Sequence, residues 1–372
     1  MAKSKPLSIA IVSGGISGLC LAIGLLRRSQ LKVYIFEASP TFTEIGAGGP
    51  NTQRALKIIS HDAEQEFRDH ATENSAPALS KAWFNFRYDG QDTQDGLDPR
   101  IIENETGQQT IHRAKFLNAL ASLVPEDTVY FRKRLVRITE LELGSDGPVM
   151  LHFADGTTAK ADCAIGDDGI HSKHLLGAAT PAATPVISGT FAYRGLIPMV
   201  IVNEALGKYD HDAYVWCGKG GMVMTYPINF GQVPNAVDAC DRKSWDEKAH
   251  VVNSTLEQLS KDFESWGGIP REIIRPILWA ILDHLLAPRY YSRSIVIMGD
   301  AAHATTPFQG AGAGQVIEDA LVLSTLLGQV QCLHDIEPAL AAYNTVRIPR
   351  TQRVVQTSRD AMKLFAFTRR HS

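Results

Sequence analysis

The residues of this chain best suited to chemistry lie in two glycine-rich turns far apart along it. The first is Ser13-Gly14-Gly15-Ile16-Ser17-Gly18. It follows the β-branched run Ser8-Ile9-Ala10-Ile11-Val12 and precedes an apolar segment expected to be helical from about Ile16 to Arg28. Lys32-Val33-Tyr34-Ile35-Phe36 reads as a second buried strand ending at Glu37, completing a βαβ unit of about thirty residues. In such a unit glycines let the backbone approach a pyrophosphate at a helix N-terminus, where free N–H groups and the helix dipole favour an anion. Gly15 and Gly18 take the second and third positions of the GxGxxG pattern, and Glu37 stands where an acid would accept hydrogen bonds from a ribose. Ser13 takes the first position, which costs about 1 kcal/mol if the turn is left-handed there. The same residues also suit a packing turn that holds no ligand.

The second turn follows the expected strand Ser294-Ile295-Val296-Ile297-Met298 and begins Gly299-Asp300-Ala301-Ala302-His303. It continues through Pro307-Phe308-Gln309-Gly310-Ala311-Gly312-Ala313-Gly314 into a helix expected from about Gln315 to Leu327. Small residues let a flat ring system or a phosphate lie against the backbone, and Asp300 at the strand end can hold a ribityl or ribose hydroxyl. A small-residue helix-packing loop is the alternative. His303 suits either a catalytic base or a helix-entry histidine bonded to backbone. His171 and His174 are spaced i, i+3, but no carboxylate–histidine cluster accompanies them, so no metal site is expected.

The segments SGGISGLCLAIGLLRR, FEASP, TEIGAG, IHRAKFLNAL, CAIGDDGIHSK, FAYRGLIPM, VMTYPI and GDAAHATTPFQGAGAGQVIEDALVL together resemble the class A FAD-dependent aromatic hydroxylases. The resemblance is nearest to the fungal salicylate-hydroxylase-like monooxygenases of aromatic polyketide pathways and runs from Ser8 to about Ser358. It implies an α/β fold: a Rossmann-like, GR2-type FAD-binding domain with an inserted β-sheet substrate domain and a C-terminal helix. It also implies FAD as cofactor and NADH or NADPH as reductant. A flavin C4a-hydroperoxide would then hydroxylate a phenolic or salicylate-like substrate with molecular oxygen, in secondary metabolite biosynthesis. Carried over by position, Gly15, Gly18, Glu37, Gly48, Arg113, Asp168, Asp300, Gly312 and Ala313 would bind the cofactor. Arg113 would reach the FAD, its planar fork of donors suiting a pyrophosphate or a flavin carbonyl; a surface arginine at a helix start is the alternative. Because a phenol attacks best as its phenolate, donors near the substrate oxygen are expected. Arg194, in Tyr193-Arg194-Gly195, and Tyr226, in Thr225-Tyr226-Pro227, are the candidates. A strand-edge arginine and a core tyrosine are the structural alternatives.

Four departures from the family pattern stand out. Ser13 replaces a glycine; Gly48-Gly49-Pro50-Asn51 closes a loop about three residues short; His174-Leu175 stands where relatives carry Val-Arg; and relatives continue beyond the position of Ser372. They motivate a second class of function, a catalytically impaired flavin-fold protein with a binding or scaffolding role. An NAD-dependent dehydrogenase built on the first βαβ unit is a third reading, against which the GDAAH segment argues.

The elements needed to position these residues fit a chain of 372 residues with a formal charge of −3 and five scattered cysteines. The charge leaves no basic excess for nucleic acid or an anionic membrane, and the cysteines imply neither a disulfide framework nor a zinc ribbon. A cytoplasmic location is expected, with Leu7 to Leu26 read as strand, turn and helix; a signal peptide or membrane anchor is the alternative. The cofactor domain is expected to be discontinuous, comprising 1–75, 105–178 and 286–330. The substrate domain would take 76–104 and 179–285, and a helical segment 331–372. Within these, Gly177 to Ser188 reads as a linker and Thr190 to Ala239 as a series of strands. Helices are expected over Trp245 to Trp266, Arg271 to His284 and Ile336 to Phe365, with Arg347, Arg350 and Arg353 on a solvated face.

Overall fold

The computed structural model describes residues 5–40, 46–48, 50–88, 100–140, 147–170, 172, 185–196, 207, 211–228, 233–241, 251–253, 255–264, 266 and 277–368. The apolar N-terminal run is divided into the strand Leu7–Val12 and the helix Ile16–Leu26, as its glycines imply. Among the described residues no helix is long and apolar enough to cross a membrane. Leu7–Val12 is flanked by parallel partners on both sides, Leu31–Phe36 and Cys163–Gly166. The full sheet runs Tyr291–Ser292, Ile295–Ile297, Cys163–Gly166, Leu7–Val12, Leu31–Phe36, Val129–Tyr130. Its central strands are largely apolar because both faces are covered: helices bury Ile9, Ile11, Val33 and Ile35 on one, and the antiparallel strands Leu135–Glu140, Val149–Phe153 and Thr158–Ala161 bury Ala10, Val12 and Phe36 on the other. Strand ends from three distant parts of the chain therefore lie side by side: Val12, Gly166 and Ile297 are in register. That register brings both glycine turns to one edge, where open α/β sheets bind ligands.

A second sheet of eight strands runs Val251–Asn253, Ile277–Asp283, Val186–Leu196, Val233–Asp241, Gly221–Ile228, Tyr214–Gly218, Ala82–Tyr88, Arg100–Glu103. Its strands alternate, so one face buries Phe191, Tyr193, Tyr214, Trp216 and Val223 against Phe263 and Trp266. The opposite face puts Val215, Cys217 and Met222 against Phe308 and against Ala361 and Met362 of the last helix. Ile336–Phe365 is one helix of 30 residues, with the bounds its periodicity predicts.

The interval from 245 to 284 departs from expectation. Among its described residues only Leu256–Asp262 is helical; Val251–Asn253 and Ile277–Asp283 are paired strands. A short continuous apolar run such as Ile277-Leu278-Trp279-Ala280-Ile281-Leu282 satisfies either periodicity, and pairing with Val186–Leu196 decides for strand. Most of the expected linker, from 177 to 184, lies outside the described residues.

The Ile16–Leu26 helix approaches the Gly312–Leu327 helix through Gly24, where a Cβ would lie 2.7 Å from the Ser324 Cβ. A Gly24→Ala substitution should therefore overpack this contact. We expect it to destabilise the fold by about 1–3 kcal/mol, read from the shift in urea midpoint.

Candidate functional site

The two helices that follow the glycine turns begin without a side-chain cap among the described residues. Gly15 is the N-cap of the first in extended conformation, and Gly312–Leu327 begins at Ala311. First-turn N–H groups other than that of Gly18, which bonds the Asp167 carboxyl, are thus left for a ligand. Gly18 lies where any Cβ would run into the Ser13 carbonyl oxygen, so the turn closes tightly around a missing side chain. Ser13 itself has φ of +97°, in the region glycine prefers, consistent with the conformational demand the fingerprint places on that position. Glu37 is buried at the end of its strand. Its carboxylate accepts the Gly14 N–H at 2.7 Å and the Ser39 N–H at 2.7 Å, so it also braces the turn.

The second turn converges on the first. Asp167, which ends the Cys163–Gly166 strand, lies between them: its carboxyl accepts from the Ser17 hydroxyl at 2.6 and 2.5 Å. A Cβ placed on Gly299 would be 2.7 Å from the same carboxyl. Neither Asp167 nor Ser17 was singled out from the sequence; the available signal was an acid set directly after a wholly apolar strand. The adjacent Asp168 is half-buried, and the following turn, with Gly169 at φ +78°, is held where His284 Nε2 lies 2.6 Å from the Ile170 carbonyl oxygen. His171 and His174 lie outside the described residues.

A cavity of about 330 Å³, in the range of small-molecule sites, opens beside the second turn. Asp300, Gly312, Ala313 and Arg113 line it from the side of the parallel sheet. Met222, Met224 and Tyr226 line it from one strand of the large sheet, at the two-residue spacing that puts them on one face. Trp83, Ala192, Val237, Ile281 and Phe308 complete an apolar wall. The backbone of Arg194 lies opposite Val237 in the sheet register, but its side chain is outside the described residues. Gly48 belongs to a short strand, Gly46–Gly48, opposite Gln109, which also lines the cavity. Glu37, Gly15, Gly18 and Asp168 do not line it; they belong to the turns next to it.

Two expectations for polar residues are corrected. His303 is buried, and its Nε2 lies 2.6 Å from Asp319 Oδ2 rather than on backbone. Arg347 is not on a solvated face: it is 2 % exposed. Its Nε donates to Asp319 Oδ1 at 2.6 Å, and its other nitrogens reach Glu318 and Gln315. Asp319 also accepts the Gly299 N–H at 2.9 Å, so one carboxylate ties the last helix to the second turn. Burial raises the Asp319 pKa, but His303, Arg347 and the Gly299 N–H outweigh it and hold the carboxyl below its ordinary value.

Both turns and the cavity fit an FAD. Helix N-termini suit a pyrophosphate, the Asp300 and Glu37 carboxylates are acceptors of the kind sugar or ribityl hydroxyls need, and Arg113 is a cation at the cavity wall. The chain belongs to the FAD binding domain family, whose model matches residues 7–358. It is 53% identical to a 6-methylsalicylate 1-monooxygenase of Aspergillus terreus, across 100% of this chain and 86% of that protein. It is 36% identical to a salicylate hydroxylase of Pseudomonas putida, across 96% of this chain and 86% of that one. A solved salicylate hydroxylase substrate complex superposes with a TM-score of 0.85 at 31% identity, covering 98% of this chain and 90% of its own. The expected fold class and FAD-dependent monooxygenase membership are therefore borne out.

Truncating Arg347 should leave the buried Asp319 carboxylate without its arginine partner. Arg347→Met is expected to destabilise by about 3–5 kcal/mol. Arg350→Ala, at a pair whose arginine is 47% exposed, should change stability by less than about 1 kcal/mol. Chemical denaturation of both variants checks the contrast. Asp319, with its pKa lowered in the fold, contributes stability that is present above the ordinary carboxylate range and lost as pH falls through its folded value. Asp319→Asn should accordingly lose most stability near neutrality and progressively less in acid.

Proposed function

We propose that this chain is an FAD-dependent monooxygenase that uses NADH or NADPH and molecular oxygen to hydroxylate a salicylate-like phenolic acid. The setting is the biosynthesis of aromatic secondary metabolites in the cytoplasm. One observation carries the reading: a single cavity is walled on one side by Asp300, Arg113 and the Gly312–Ala313 helix start and on the other by Tyr226 and an apolar sheet face. Bound and reduced, FAD supplies the oxygen-activating chemistry; the protein's part is to hold it, position the ring and keep water out.

On this reading Gly15 and Gly18 receive the pyrophosphate and Glu37 the adenosine ribose. Asp300 with Gly312 and Ala313 holds the ribityl–isoalloxazine end, and Arg113, Gly48 and Asp168 flank it. The cofactor unit is the discontinuous one of 1–75, 105–178 and 286–330, with the substrate unit inserted. The phenolic substrate lies against Met222, Met224 and Ile281, with Arg194 pairing with its phenolate or carboxylate and Tyr226 hydrogen-bonding the same oxygen. A fixed donor at that oxygen stabilises the phenolate as charge develops, and the apolar wall strengthens the interaction by lowering the local dielectric.

Purified protein should be yellow, and a salicylate-like acid should stimulate its NAD(P)H oxidation. Flavin that never turns over with any phenolic acid would instead favour an impaired flavin-fold protein. Tyr226→Phe is expected to lower kcat/KM about tenfold, the equivalent of one hydrogen bond of about 1.4 kcal/mol. Arg194→Ala should lower it about a hundredfold through a charge-assisted contact, mainly by raising KM. Steady-state assays with tightness of flavin binding held as a control measure both.

A further inference from the structure

Asp167 stands out among the buried acids. Its carboxyl lies against both glycine turns. Oδ2 lies 3.2 and 3.8 Å from where Cβ atoms of Gly18 and Gly15 would stand, and Oδ1 lies 2.7 Å from that of Gly299. The Ser17 hydroxyl donates to it from the first turn of the Ile16–Leu26 helix, and its own N–H is held by the Val12 carbonyl. Gly299, with φ of +60°, is bonded in turn to Asp319. The side chain is therefore a wedge that sets the distance between the two turns, each of which any larger residue at Gly18 or Gly299 would disturb.

The charge around this wedge is one-sided. The titratable groups that face it are Asp168 on its own strand end, Asp300 on the second turn and the Cys20 thiol on the first helix. The neutral donors that favour its ionised form are the Ser17 hydroxyl and the Gly18 N–H. Burial raises its pKa most; the Ser17 hydroxyl opposes this, Asp300 and then Asp168 add to it, and the Gly18 N–H opposes it least, which leaves the pKa well above the ordinary carboxylate value. A dinucleotide delivered to these turns brings two further negative charges.

We propose that Asp167 is a cofactor-positioning residue that joins the two turns as a neutral acid when FAD is bound, so that FAD binding takes up a proton at this carboxyl wherever it is ionised in the free protein. The inference rests on the FAD-binding reading above. A bound pyrophosphate penalises the ionised form, so the pKa is higher with FAD than without it, and linkage makes FAD affinity fall as pH rises above the value in the free protein. Below that value affinity is independent of this group.

Apo-protein from the full chain, titrated with FAD by fluorescence quenching between about pH 6 and about pH 9, tests this. In wild-type protein Kd should rise with pH once the value in the free protein is passed, approaching tenfold per pH unit, which is one proton per FAD. Asp167→Asn keeps the shape without the charge, so its Kd should be flat with pH and within about threefold of the wild-type value at the acid end. Asp167→Ala should also be flat, but weaker than Asn by about tenfold because the tie to Ser17 is lost. Ser17→Ala removes a donor to the ionised form and should move the rise in Kd to higher pH; this variant tests the proposal even if Asp167→Asn does not fold. A wild-type Kd unaffected by pH, an Asn variant that keeps the wild-type slope, or an Asn variant no better than Ala would each overturn the assignment. Wild-type protein that binds no FAD at any pH would overturn the FAD-binding reading itself, and this inference with it.

Discussion

Asp319 is the contact on which the site's geometry depends. A carboxylate wholly removed from water is tolerable only when strong donors surround it, and here three arrive from different elements: the Gly299 N–H, His303 and Arg347. Each bond constrains a different part. The first fixes the glycine turn that ends the Ile295–Ile297 strand, the second fixes the short helix behind it, and the third locks in the 30-residue last helix. Because that helix also packs Ala361 and Met362 against the large sheet, one buried ion cluster sets the height of the sheet above the second turn. The cavity between them is a consequence of that spacing.

The contrast between Asp319 and Asp167 shows how environment assigns opposite states to like groups. Both are buried acids beside Gly299. Asp319 is faced by an arginine and a histidine and is held below its usual pKa; Asp167 is faced by a hydroxyl and two other acids and is pushed above it. The parallel sheet brings both to the same edge because Val12, Gly166 and Ile297 end in register. The second turn thus has beside it one fixed negative charge, offset by Arg347 and His303, and one acid without such an offset.

Much of this was legible in the sequence, and the misses are informative. The strand–turn–helix at Leu7 to Leu26 and the last helix could be read because long stretches of periodic or β-branched residues leave few alternatives. Tyr226 was named from the family resemblance; the structure adds that the alternation in Met222-Val223-Met224-Thr225-Tyr226 turns it to the cavity with the two methionines. The segment Ile277 to Asp283 was not legible, since its apolar run carries no period and only its partner strands determine its form. Arg347 was misread for a different reason. Its buried neighbours Leu340, Tyr343, Thr351 and Val355 fall at three- and four-residue intervals, so periodicity placed it on the inner face. Residue type alone argued for solvent, and only the partner Asp319, 28 positions earlier, resolves the conflict. Asp167 and Ser17 pair across 150 positions, and each looks unremarkable until the two strand ends are side by side.

The apolar wall of the cavity bears on chemistry as well as on binding. Met222, Met224, Val237, Ile281 and Phe308 offer no hydrogen bonds, so any polar group of a ring bound there must be met by the few donors at the margins. A neutral hydrocarbon would gain affinity from this wall but no orientation. A ring bearing a phenol and an adjacent carboxylate is oriented by whichever donors remain, and Tyr226 stands at the boundary between the wall and the cofactor side. Arg113 and Asp300 line the same cavity from the starts of the helices Arg113–Ser122 and Asp300–His303. Rigid elements on both sides mean that the substrate ring, not the protein, supplies the remaining freedom, and the ring's polar substituents remove it. On the proposed reading, selectivity for ortho-hydroxylated benzoic acids then follows from the scarcity of polar groups in the wall rather than from an abundance of contacts.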